Sequence, residues 1–213
     1  MRFWLSLIVL VLAVSARAQS LDTDSSLYAA DVFVAERTGP YADIGEPDSL
    51  LLKEGGFDCL IEARGGGTCS SGSESTRFKL PIGVADHVER VWYAGHEGDL
   101  LVLYEFSDLE SGAARLARIN FDSQDTLWVA HLPGFNAGPP LILAEDAFVT
   151  VIGFVGSVDL DTGIYRWKYD GLYDGGRFNA FRQPEIDGSV VRFTDSSGKH
   201  SVMVERESGY RLK

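Results

Sequence analysis

The chain has 213 residues, 31 of them acidic and 19 basic, for a formal net charge of −12 at neutral pH. A surface that negative repels nucleic acid and anionic lipid head groups, so it reads either as plain solubility or as an acidic face that docks on a basic protein. With 45% hydrophobic residues the chain is rich enough to bury a core, which excludes a disordered polymer.

At the start of the chain, Arg2 precedes an apolar run from Phe3 to Val14, too short to span a bilayer comfortably. Ala16-Arg17-Ala18 then places small residues where a signal peptidase reads. Residues 1–18 therefore read as a signal peptide cut after Ala18, with an uncleaved membrane anchor as the alternative, and residues 19–213 as one domain. Removing Arg2 and Arg17 leaves 17 basic residues against 31 acidic ones, a net charge of −14. No Cys sits beside the cut, so no lipid anchor is expected. The mature protein is expected to be periplasmic or secreted, without membrane insertion.

Residues 19–81 carry candidate strands at 31–37, 57–64 and 75–81, separated by "TGPYADIGEPDS" and by the low-complexity "RGGGTCSSGSES". Two readings are open: a diverged first structural unit, or a loop-rich cap over an open sheet edge. Cys59 and Cys69 are the only cysteines and flank a Gly-rich segment in a chain read as exported. They read as a structural disulfide, with two free thiols as the alternative. Two thiols are too few for a structural zinc, and C-x-x-C spacing is absent.

From residue 82 onward the chain repeats itself. Sliding "SVDLDTGIYRW" (157–167) back by 39 residues puts Asp161-Thr162-Gly163 on Asp122-Ser123-Gln124, Asp159 on Asn120 and Trp167 on Trp128. Sliding it forward by 46 puts the same turn on Glu207-Ser208-Gly209 and Asp159 on Glu205. The stretches "DLLVLYEF" (99–106), "DAFVTVIGF" (146–154) and "DGSVVRFTD" (187–195) each set an acidic residue ahead of an apolar, β-branched run. Each unit reads as short strands separated by Gly, Asp, Asn, Ser and Pro, with no convincing helical stripe. "DLESGAARLAR" (108–118) is the best helix candidate and reads instead as a long hairpin loop. The class is all-β, with about three clear repeats after a diverged N-terminal part.

A period of 39 to 46 residues with several strands is the size of a propeller blade. "SVDLDTGIYRW" resembles the repeat of quinoprotein-type β-propellers, whose docking motif runs Ala-x-Asp-x-x-Thr-Gly-x-x-x-Trp. Asp159, Thr162, Gly163 and Trp167 match it, and Ser157 stands at the Ala. The earlier copy keeps Asn120, Ser123 and Trp128; the later one keeps Glu205, Ser208 and Gly209 and has Lys213 at the Trp position. The resemblance implies antiparallel blades of a small or incomplete β-propeller. The redox members of that family are much longer and hold pyrroloquinoline quinone and calcium in the central channel. No residue of this chain matches their cofactor-binding set, so the fold carries over, and neither the cofactor nor the redox activity does. Non-catalytic relatives use the same repeats as binding scaffolds. In this reading Asp159, Asp161, Thr162 and Trp167 shape blades; a calcium site on Asp159 and Asp161 is the alternative.

No catalytic constellation is visible: no G-x-S-x-G elbow, no P-loop and no H-E-x-x-H, since "HEGDL" (96–100) lacks the second His. His87, His96, His131 and His200 show no ligand spacing, and whether they meet in space is open. "YRWKYDGLYDGGRFNAFRQP" (165–184) gathers aromatic and basic residues in an acidic chain. Tyr173, Arg177, Phe178 and Arg182 are the candidate interaction surface, because aromatics and Arg dominate interface hot spots. The alternative is that the strand residues face the core, leaving only Tyr173, Arg177 and Arg182 free. Three functions follow: a binding or scaffolding protein with another envelope protein or peptide, basic in one version, as partner; an inhibitor such as an immunity protein against a toxin; or a hydrolase or lyase whose residues converge only in space. The first is the expectation, with no catalytic, cofactor or metal residue assigned.

Overall fold

The computed structural model describes residues 29–36, 49–52, 58–84, 86–107, 111–174, 177–178 and 180–212, and the expected signal peptide lies outside them. Among the described residues there is no helix. The first two strands are short, β1 (Ala29–Ala30) and β2 (Phe33–Glu36). Four antiparallel four-strand meanders follow, which we call blades I to IV. Blade I holds β3 (Ser49–Leu52), β4 (Asp58–Glu62), β5 (Gly66–Ser71) and β6 (Glu74–Lys79). Blade II holds β7 (His87–His96), β8 (Asp99–Ser107), β9 (Gly112–Asn120) and β10 (Thr126–Leu132). Blade III holds β11 (Leu141–Leu143), β12 (Asp146–Val151), β13 (Phe154–Asp159) and β14 (Tyr165–Tyr169). A two-stranded hairpin, β15 (Tyr173–Asp174) with β16 (Arg177–Phe178), leads to blade IV: β17 (Glu185–Asp187), β18 (Val190–Thr194), β19 (Ser201–Glu205) and β20 (Arg211–Leu212).

Period-2 side-chain alternation explains how the blades stack. Along β8, Leu100, Val102, Tyr104 and Phe106 join a buried cluster with Cys59, Ile61, Phe78 and Leu80 of blade I and its exit. Leu101 and Leu103, on the opposite face, join Val149, Val151 and Val158 of blade III. On the far side of blade III, Leu141, Leu143, Phe148 and Val155 meet Val191, Phe193, Val202 and Val204 of blade IV. The central strands are therefore apolar on both faces, as in any sheet covered on both sides. Three buried clusters join the blades in chain order, and none joins blade I to blade IV among the described residues. The result is an all-β, incomplete propeller.

The two readings of the N-terminal third fall on different segments. The described residues between 49 and 79 form blade I, whereas β2 pairs antiparallel with β7 and β1 with β11, extending blades II and III at their inner edges. Two expectations need correction. The low-complexity stretch 64–75 contains β5, which pairs with β4 and β6 on either side. The segment read as a loop at 108–118 is mostly β9: Gly112–Asn120 pairs with β8 along its whole length, because Ala114, Leu116, Ala117 and Ile119 are all buried.

Cys59 and Cys69 stand opposite each other on β4 and β5, are buried and form a disulfide. It closes a short loop in the blade with the most Gly and Ser, and its sulfurs belong to the cluster shared with blade II. Replacing both cysteines with Ala should lower stability by roughly 2 to 3 kcal/mol, the loop-entropy value, read as a fall in the urea midpoint. An unchanged midpoint would show that β4 and β5 hold their pairing without the covalent link.

Candidate functional site

Because every blade is a four-strand meander, its turns alternate between two ends. One end carries the turns between third and fourth strands; the other carries the blade-to-blade connections.

At the first end, three turns repeat one hydrogen-bond pattern. Asp159 Oδ1 accepts from the Thr162 N–H at 2.9 Å and the Thr162 hydroxyl at 2.8 Å, and the Asp159 carbonyl accepts from Gly163 N–H at 2.8 Å. Glu205 does the same for Ser208 and Gly209, and Asn120 for Ser123 N–H and Gln124 N–H. Burial would raise the Asp159 pKa, but the hydrogen bonds from Thr162 and the Arg166 charge outweigh it and hold the carboxyl below its ordinary range. Hydrogen bonds from Ser208 lower Glu205 likewise. The residue five places into each turn has positive φ: Gln124 at 68°, Gly163 at 70°, Gly209 at 71°.

Those turns receive the indole of the preceding blade. Trp128 Nε1–H donates to the Leu160 carbonyl at 2.9 Å, and a β-carbon on Gly163 would lie 2.6 Å from its ring. Trp167 Nε1–H donates to the Arg206 carbonyl at 2.9 Å, and a β-carbon on Gly209 would lie 2.5 Å from its ring. Glycine is thus needed twice over, for φ and for space. Blade I has no Trp in β6, and there the receiving turn carries Gln124.

Buried polar groups support the Trp128 joint and also hold the opposite end of the blades. Arg118 bonds Asp99 at 2.6 Å, Glu97 at 3.2 Å and the Leu160 carbonyl at 3.0 Å. Burial would depress its pKa, but Asp99 and Glu97 hold it above the usual value. Glu105 accepts from Ala137 N–H and faces Arg90 at 3.5 Å. Asp195 caps the β18–β19 turn through Ser197 and Lys199 N–H. His96, at the end of β7, lies 3.8 Å from Glu97; burial lowers its pKa below 6.5 more than Glu97 raises it.

The histidines are dispersed. His87 and His96 lie at opposite ends of β7, nine residues or about 30 Å apart; His131 is on β10 and His200 just before β19. Among the described residues no three His, Cys, Asp or Glu side chains group as a metal site.

At the other end, each connection between blades exposes one large apolar residue among the described side chains: Val84 at 97%, Phe135 at 54% and Tyr173 at 51%. Phe135 leans on Gly112, and its carbonyl accepts from Ile152 N–H; the Tyr173 ring covers Gly153 of the same turn. Phe135 and Tyr173 therefore flank Ile152–Gly153. Arg182, another candidate of the interaction surface, is exposed; its Nη2 donates to the Ser196 carbonyl at 2.8 Å and the guanidinium packs over Gly198. Arg177 and Phe178 pair through β16 with β15, but their side chains lie outside the described part. Val84 and Phe135 were missed in the sequence; the only signal was a lone aromatic among Gly and Pro in "LPGFNAGPP".

No family model matches the chain, and no curated protein does. Among solved structures it is similar to a europium-containing methanol dehydrogenase, at 13% identity and a TM-score of 0.48, over 76% of this chain and 40% of that one. It is also similar to apo AztD from Citrobacter koseri, at 13% identity and 0.47, over 76% and 44%. The chain spans less than half the length of either protein, and neither likeness bears on chemistry.

Two outcomes follow from the joints. Gly209→Ala should destabilise by about 2 kcal/mol or more, from left-handed strain plus the clash with Trp167, whereas Gln124→Gly should stay within about 0.5 kcal/mol of the parent. Equal effects in chemical denaturation would remove the indole from the explanation. For pH, the lowered His96 pKa means that the unfolded chain takes up the proton first. The His96 contribution is complete above pH 6.5 and is lost as pH falls through the folded value, so His96→Gln should flatten the fall of the urea midpoint below pH 6.5.

Proposed function

We propose that this chain is an exported, non-catalytic binding or scaffolding protein whose partner is another envelope protein or peptide. The observation that carries the reading is the row of exposed apolar residues, Val84, Phe135 and Tyr173, one on each connection at one end of a rigid stack. Large apolar side chains on loops positioned by a packed scaffold are the usual material of a recognition face. The disulfide supports export, since such bonds persist outside the cytoplasm. The buried ionisable groups Asp99, Glu105, Arg118 and Asp195 are each engaged by structural hydrogen bonds, which favours binding over catalysis.

The inhibitor reading draws on charge. Glu97, Glu145, Asp161 and Glu207 are exposed at the opposite end and would suit a basic toxin, but each is also within 4 Å of an Arg of its own chain.

The test is affinity purification of the tagged protein from its native envelope, beside Phe135→Ala/Tyr173→Ala. One stoichiometric partner, lost in the variant while the melting temperature holds, is the expected result. Recovery of the protein alone, or a partner retained by the variant, would overturn the assignment of this face.

A further inference from the structure

The inner edge strands of the blades are treated unequally. β2 pairs with β7 and lies against β3, and β1 pairs with β11. Two of the four inner strands, β7 and β11, are thus paired by residues 29–36, and β3 has β2 beside it without a pairing between them. β17, the inner strand of blade IV, pairs with β18 on one side, and among the described residues nothing pairs with the other. Glu185, Ile186 and Asp187 are all exposed.

An open edge offers unpaired N–H and C=O groups to any extended chain, and side-chain chemistry decides which chain is accepted. Glu185 has Arg192 as its cross-strand neighbour, but Asp187 stands opposite Val190, so its charge is unbalanced within the pair. A second copy is a poor occupant: antiparallel pairing about Ile186 would set Glu185 of one chain against Asp187 of the other. The chain's own residues 19–28 hold Asp22 and Asp24 and no Lys or Arg, which is again acid against acid.

We propose that β17 is a docking edge for an extended segment of a separate protein, with Lys or Arg at alternate positions and an apolar residue between them. The segment adds antiparallel to β17 as β1 adds to β11. Its basic side chains face Asp187 and Glu185, and its apolar residue lies across from Ile186. This edge is separate from the face built on Phe135 and Tyr173.

Fluorescence anisotropy of the full-length protein with a labelled Thr-Lys-Val-Arg-Thr peptide tests it. Saturable binding is expected, weakened about tenfold by Asp187→Lys and abolished by N-methylating the peptide backbone. A Thr-Glu-Val-Glu-Thr peptide should prefer the Asp187→Lys protein, which also shows that this variant is folded. Phe135→Ala/Tyr173→Ala should bind the basic peptide like the parent, so failure of the loop-end reading leaves this result intact. Absence of binding, indifference to Asp187→Lys, or survival of N-methylation would each overturn the proposal. So would tighter binding by a synthetic peptide of residues 19–28, or a protein dimer that the basic peptide dissolves.

Discussion

An indole resting on a glycine turn is the contact on which the order of the blades depends. Each of Trp128 and Trp167 leaves the last strand of its blade, lays its ring where the next blade has no β-carbon, and donates its N–H to a carbonyl of that turn. Ring burial is non-directional, and by itself would allow neighbouring sheets to slide. The N–H and the turn geometry remove that freedom, since the carbonyl must point inward and the glycine must keep positive φ. The turn is in turn held by the carboxylate or amide of Asp159, Glu205 or Asn120. A carboxylate that never touches the neighbouring blade therefore governs how that blade seats.

Joints of this kind act only between neighbours, so the stack behaves as a short one-dimensional array. Such an array leaves two difficulties: outer faces at its ends, and inner edge strands not shielded by ring closure. The first is eased at blade I by the buried disulfide, which ties down a Gly- and Ser-rich sheet. The second is met by residues 29–36. Two and four residues long, β1 and β2 bury little on their own, yet each satisfies the main chain of a strand that would otherwise be open. The acidic residues of β17 are the other common treatment of an edge, repulsion of like strands, and that treatment leaves the edge selective rather than closed.

Legibility in the sequence followed the range of the interactions. The turn around Asp159 was readable because its hydrogen bonds are local, and the same spacing reappeared around Asn120 and Glu205. The strands of 99–106 and 146–154 were readable because burial on both faces leaves continuous apolar runs. β5 was not, since Gly66, Gly67, Ser70 and Ser71 have low strand propensity and owe their conformation to β4, β6 and the Cys59–Cys69 bond. β9 was misread for a similar reason: its small and charged residues hide an alternation that the neighbouring blades make plain. The bond from Arg182 was not readable because its acceptor, the Ser196 carbonyl, belongs to a turn fourteen residues away.

The two ends of the stack are under different constraints, and these bear on where the proposed partner would dock. The joint end must keep its acceptors, its glycines and the Arg118 network, so most substitutions there disturb a blade interface. Its acidic side chains are also partly satisfied from within: Arg118 meets Glu97 and Asp161, Arg166 meets Glu145 and Asp159, and Arg206 meets Glu207. A basic partner arriving there must displace guanidinium groups already in place, and exposed ion pairs return little for the exchange. At the connection end, the guanidinium groups of Arg64, Arg115 and Arg182 bond to backbone carbonyls rather than to exposed carboxylates. Phe135 and Tyr173 are seated by the backbone beneath them, on Gly112 and Gly153, while their outer faces stay in water. Covering the exposed parts of those two rings removes apolar area from water, one of the terms that contact area contributes to affinity.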